Sequence, residues 1–188
     1  MPRGAEAASR MEHRQMNSEQ IREKFGSYHV EVLHQDEGSR VASLYSTHDE
    51  QAICRTLAVT CFRRPLDQSL TEADRLIRQG QSIGSTLSDA GLVLDRAVLA
   101  EASVASGAAF EQLTGASVKA GATIYLRVYQ LSAGKDPTIL RPYAVIAEAH
   151  HPEHIPPESL LPDQASLSTD AWDTLSLAAM SKLLSALN

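Results

Sequence analysis

The chain has 188 residues, with 43% hydrophobic and 21% charged residues and a formal net charge of −6. That balance suits one globular domain able to bury a core. The negative charge argues against non-specific nucleic-acid binding, because a phosphate backbone wants a basic face. No apolar run is long enough to span a bilayer, so no nucleic-acid or membrane partner is expected. A small anionic ligand, needing only one or two local arginines, stays open.

The opening MPRGAEAASRMEHRQ is small and charged and has no apolar centre of a signal peptide. Residues 1–17 read as a disordered leader, and residues 18–188 as a single domain. SEQIREKF predicts a short helix with Ser18 as its cap and Ile21 and Phe25 on one side. Gly26 ends it. Three strands follow, Tyr28 to Leu33, Ser39 to Ser46 and Ala52 to Phe62, joined by the short polar turns of an antiparallel meander. SLTE, Ser69 to Glu72, fits a capping box ahead of a helix through Leu76 and Ile77, with Gly80 as its stop. A helical turn is expected around Ser85 to Ala90. Leu92 to Ala105 reads as a fourth strand, Gly107 to Gly115 as a short helix or loop, and Thr123 to Leu131 as a fifth strand. Thr138 to His150 is the last strand, where Pro142 implies an edge or a bulge. After a proline-punctuated loop, Ser168 to Asn188 is an added C-terminal helix whose stripe of Trp172, Leu175, Ala179, Leu183 and Leu187 should dock on the sheet. The expected class is α+β: a single antiparallel sheet with helices packed on one face.

Cys54 and Cys61 lie seven apart on the third strand. An odd spacing points them to opposite faces, and no metal-binding spacing is present. They read as half-buried thiols of a reducing, cytoplasmic compartment.

Three groups of residues could carry chemistry. GQSIG, Gly80 to Gly84, matches the pattern of a nucleophile elbow around Ser82, but a helix precedes it where that mechanism needs a strand. HHPEH, His150 to His154, follows Glu148 and offers four candidate metal ligands. Pro152 forbids the helix that would bring two of its histidines together, so exposed loop histidines are expected. The third group is charges on apolar faces. Arg40 alternates with Ala42 and Leu44, Arg55 with Ile53, Leu57 and Val59, and Glu148 with Ile146 and His150. Hidden charges are costly unless paired or holding a ligand. By themselves these three fit a structural Arg–Glu ion pair or a solvated face.

Taken together, RVASLYS (Arg40 to Ser46), CRTLAV (Cys54 to Val59), SIGSTL (Ser82 to Leu87) and VIAEAHHP (Val145 to Pro152) come in the order of the motifs of chorismate pyruvate-lyases. The chain resembles that family and the chorismate-lyase-like fold, which the ligand-sensing domains of GntR-type regulators share. The sequence departs from the pattern at Val41, Val59 and Ser82, where the lyases carry glutamate, proline and proline. The resemblance implies cleavage of chorismate to 4-hydroxybenzoate and pyruvate, as in ubiquinone biosynthesis, without a cofactor or metal. Arg40 would hold the ring carboxylate with help from Ile83 and Gly84. Glu148, with a raised pKa, would serve the ether-oxygen side as the second catalytic residue, and Arg55 would be a further ligand-binding residue. The expected partner is a small aromatic carboxylate, and a homodimer is allowed. Two other readings remain: a non-catalytic binding module of the same fold, and a hydrolase using Ser82 or the histidines.

Overall fold

The computed structural model describes residues 16–159 and 172–188. Most of the expected leader, residues 1–15, and residues 168–171 of the expected last helix lie outside the described residues. Among those described, the elements run α1 (Asn17–Phe25), β1 (His29–Gln35), β2 (Ser39–His48), β3 (Gln51–Phe62), α2 (Thr71–Arg78), α3 (Ile83–Asp89), β4 (Val93–Ala105), α4 (Ala108–Leu113), β5 (Thr123–Gly134), β6 (Arg141–His150) and α5 (Thr174–Leu187). The strands form one six-stranded antiparallel sheet in the order β1-β2-β3-β6-β5-β4. The fold is α+β.

Helices cover both faces of this sheet, not one. On the first face, Ala179, Met180, Leu183 and Leu187 of α5 and Phe110 of α4 pack with Leu57, Val59, Val145, Ala147 and Ala149. On the second, Leu70, Ala73, Ile77 and Leu87, from α2, α3 and the turn before α2, pack with Phe62, Tyr129, Leu131, Ala144 and Ile146. The reason is visible in β6: Ala144 to His150 is buried without a break. A strand buried on both sides needs a cover on each.

Local signals shift the expected boundaries. Asn17 begins α1 and is buried, so the folded part starts inside the stretch read as leader. Glu19 Oε2 accepts from Met16 N–H at 3.1 Å and caps this helix from its first turn, in place of Ser18. Asp67, not Ser69, caps the turn leading into α2, with Oδ1 accepting from Ser69 N–H. Glu72 instead pairs with Arg75. Pro142 does sit at a bulge: Leu131 pairs with Ala144 and Ser132 with Pro142, so Tyr143 is the extra residue.

A second bulge matters more. Leu44 pairs with Thr56 and Tyr45 with Cys54, which leaves Arg55 as the extra residue of β3. The period of two breaks there. Cys54 therefore joins Cys61, Leu57 and Val59 in the same apolar cluster, against the opposite faces expected from their spacing. Both thiols are free and buried, and burial pushes the Cys54 thiol up to about 12.

α5 lays its stripe across β3 and β6. Replacing Leu183, fully buried, by alanine is expected to remove about 2–5 kcal/mol of stability in urea denaturation. The same change at Leu184, 40% exposed, should cost under about 0.5 kcal/mol.

Candidate functional site

The register of the sheet aligns side chains into rows on the face covered by α1, α2 and α3. One row runs Ala42, Ala58, Glu148 and Arg127 across β2, β3, β6 and β5. The next runs Arg40, Thr60, Ile146 and Tyr129. Arg40 and Glu148 thus stand two strands and one row apart, with Cα atoms separated by roughly 12 Å at ordinary strand spacings. Two alanines fill the space between them with almost no side chain. A cavity results, bounded by Arg40, Ala42, Leu44, Ala58 and Thr60 on β2 and β3, by Arg96, Tyr129, Leu131, Ile146 and Glu148 on β4 to β6, and roofed by Met16, Asn17, Ser18, Ser82, Ile83 and Gly84. Counted with the open solvent at its mouth, the atom-free space is about 590 Å³. The enclosed part is about 60 Å³, room for water and well below the roughly 300–1,000 Å³ of small-ligand sites.

Arg40 is 2% exposed. Its Nη1 donates to the carbonyl of Ile77 (3.2 Å) in the last turn of α2 and to that of Gln81 (2.7 Å) just beyond it. The Ile77 carbonyl carries the negative end of the helix dipole and offsets part of the charge. Among the described residues no carboxylate pairs with it. Burial lowers its pKa, and Tyr28 and Tyr143 act the other way. A guanidinium stays charged in either case. Among the described residues, then, this cation of the cavity has no carboxylate counter-ion.

Glu148 is 3% exposed and surrounded by donors. Tyr129 O–H donates to Oε1 at 3.1 Å, Asn17 Nδ2 approaches the same oxygen at 3.4 Å, and Arg127 Nη2 and His150 Nε2 each lie 3.5 Å from Oε2. Burial pushes this carboxyl up, but His150, Arg127 and Arg96 more than reverse it, so it sits well below the ordinary carboxylate range. The raised pKa expected from the apolar strand is not found. Glu148 is an ionised acceptor, not an acid. Burial also holds His150 below its usual range and hence neutral.

Ile83 and Gly84 open α3 and line the roof, where a Cβ on Gly84 would come within 2.7 Å of Met16 Sδ. Arg55 is elsewhere: its bulge carries it onto Phe25 of α1 (3.9 Å to the ring centre) and into an ion pair with Glu153 at 2.7 Å. It is not among the cavity-lining residues. Ser82 lines the cavity and shares a hydrogen bond with Tyr28 O–H at 3.1 Å, with no histidine partner among the described residues. The three histidines of HHPEH are all buried, against the exposed loop expected. His150 is held by Thr56, His151 by Ser117 and Glu153 N–H, and His154 by Asn17. Among the described residues no three histidine, cysteine or acidic side chains are grouped to hold a metal. Ser117 and His151, 2.9 Å apart, do not make a nucleophilic pair. His151 Nδ1 accepts from Glu153 N–H, so its proton sits on Nε2 and points at the serine.

Sequence reasoning missed Tyr129, Arg127, Arg96 and Asn17. Two carried a signal: Arg127 alternates with Tyr125 and Tyr129, and Arg96 with Leu94, each a charge on a largely apolar strand face. Asn17 carried none. No protein-family model matches the chain, and no curated protein is similar to it. Among the described residues, no helix is long and apolar enough to cross a membrane.

Burial holds His151 at about 4 and His154 at about 3, against 6.5 when free. Between those values the unfolded chain binds protons that the folded chain refuses, so stability falls as pH drops below about 6.5. The urea midpoint is expected to decrease from about pH 7 to about pH 4.5, and to decrease less in His154→Gln. An equal decrease in the variant would contradict the neutral burial of His154.

Proposed function

We propose that this cavity binds a small aromatic carboxylate and that the chain is a chorismate pyruvate-lyase-like protein, cleaving chorismate to 4-hydroxybenzoate and pyruvate. The observation that carries this reading is Arg40, a buried guanidinium with no carboxylate counter-ion among the described residues, in the same cavity as Glu148. A planar carboxylate matches the fork of a guanidinium in two parallel hydrogen bonds. The apolar floor of Leu44, Leu131 and Ile146 suits a ring. The ordered motifs from Arg40 to Pro152 and the α+β architecture with one antiparallel sheet support the chorismate-lyase-like fold as part of the same proposal.

In the reaction, the ring carbon bearing the hydroxyl loses its hydrogen as a proton, the neighbouring C–O bond to the enolpyruvyl group breaks, and the ring becomes aromatic. The departing enolpyruvate gains a proton and becomes pyruvate. Arg40 anchors the ring carboxylate, and Glu148, ionised, is the proton acceptor. No metal or organic cofactor has a part in this scheme.

One observation favours a second reading, binding without turnover in a module of the same fold. Donors on several sides stabilise the Glu148 carboxylate, and a carboxylate so stabilised is a weak base.

Purified protein mixed with chorismate is expected to release pyruvate, and Arg40→Ala to release none. 4-Hydroxybenzoate at a hundred times its Kd should raise the melting temperature of the wild-type chain by about 5–10 °C and leave that of Arg40→Ala unchanged. A shift without pyruvate establishes the binding module. Neither a shift nor pyruvate from folded protein contradicts both readings.

A further inference from the structure

The first residue of α1 joins parts of the chain that are far apart in sequence. Asn17 Nδ2 donates to Thr56 Oγ1 at 3.1 Å and approaches Glu148 Oε1 at 3.4 Å, while Asn17 Oδ1 lies 2.6 Å from His154 Nε2. Thr56 Oγ1 lies 3.0 Å from His150 Nδ1, and His150 Nε2 faces Glu148 Oε2 at 3.5 Å. Asn17, Thr56, Glu148, His150 and His154 are all buried.

Elementary donor and acceptor counting fixes every proton in this group. An ionised carboxylate only accepts, so the edge of Asn17 facing Glu148 is its NH₂ and the opposite edge is its oxygen. That oxygen only accepts, so His154 carries its proton on Nε2. The amide also donates to Thr56, so the single hydroxyl proton of Thr56 is free to go to His150 Nδ1. His150 Nε2 faces a carboxylate that only accepts, so Nε2 carries the proton and Nδ1 accepts from Thr56. The amide sets the tautomer of His154 and contributes to the aim of the Glu148 carboxylate, which in turn sets the tautomer of His150.

We propose that Asn17 is a positioning residue of the cavity: through its amide it fixes His154 as the Nε2–H tautomer and holds the Glu148 carboxylate, with its His150 partner, facing the ligand. It thereby sets the preference of the site for a ring that bears a hydroxyl donor as well as a carboxylate. The tautomer claim stands on the apo protein alone. Only the preference rests on the proposed ligand class.

The test has two arms on the full chain. In the first, two-bond ¹⁵N–¹H imidazole spectra, assigned with His150→Gln and His154→Gln, are compared for wild type, Asn17→Ala and Asn17→Ser. Wild type is expected to show both histidines as Nε2–H. Asn17→Ala should give mixed tautomers at His154 and leave His150 as Nε2–H, and Asn17→Ser, the milder change should the first fold poorly, is expected to do the same. Unchanged spectra in both variants overturn the claim. In the second arm, affinities for 4-hydroxybenzoate and benzoate are measured. Asn17→Ala is expected to weaken 4-hydroxybenzoate about tenfold, the change for roughly one hydrogen bond to a charged group, and to leave benzoate unchanged. Equal weakening of both acids marks a structural role only and overturns the preference. Wild type that binds neither acid overturns the ligand class, and the imidazole spectra then decide the role of Asn17 without it.

Discussion

Burying a guanidinium inside a protein is costly unless something answers its charge. Here α2 supplies part of the answer. The carbonyl of Ile77 in its last turn, and that of Gln81 just beyond it, accept from one nitrogen of Arg40. They can do so because Leu70, Ala73 and Ile77 anchor α2 and the turn before it against the sheet. The carbonyls bring partial charge only, and no carboxylate pairs with Arg40 among the described residues. The proposed anionic ligand would answer the rest.

The rest of the site follows from that cost and from the rows of the sheet. Ala42 and Ala58 are the small residues that keep Arg40 and Glu148 apart with space between them. A larger pair would fill the floor, and a direct ion pair would close the site. The opposite end is rigid for a different reason. Tyr129, Arg127, His150 and Asn17 surround Glu148 with donors from β5, β6 and α1, so its carboxylate is held ionised and has little freedom to turn. α1 acts as both roof and clamp. Meanwhile α5 packs the other face of β3 and β6, so the strands that carry Glu148 and Ala58 are fixed from behind.

Much of this could be read in the sequence where a regular period held. Arg40, Ala42 and Leu44 share a face because β2 is regular from Arg40 to Leu44. Glu148 stood out as a charge in a run of small apolar residues. That same run signalled a strand covered on both sides, which a one-sided sheet does not explain. The period failed at Arg55, where a bulge turned the side chain onto Phe25 and brought the two cysteines to one face. A bulge is a property of two strands together, and neither strand shows it alone. The histidines after β6 were read as exposed because proline-rich segments usually are. The burial of His154 comes from α1 folding over it, with Phe25 and Asn17 as contacts from more than a hundred residues away, while Ser117 meets His151. Asn17 itself gave no local signal, since its role exists only after the fold has formed.

A crystal structure of the chain grown with 4-hydroxybenzoate tests the central claim most directly. The account predicts the acid lying over the floor of the cavity, with both carboxylate oxygens about 2.7–2.9 Å from the Arg40 guanidinium and the hydroxyl turned toward Glu148. A structure in which Arg40 is neutralised by a side chain of the protein, with the acid bound outside the cavity or absent, would contradict it.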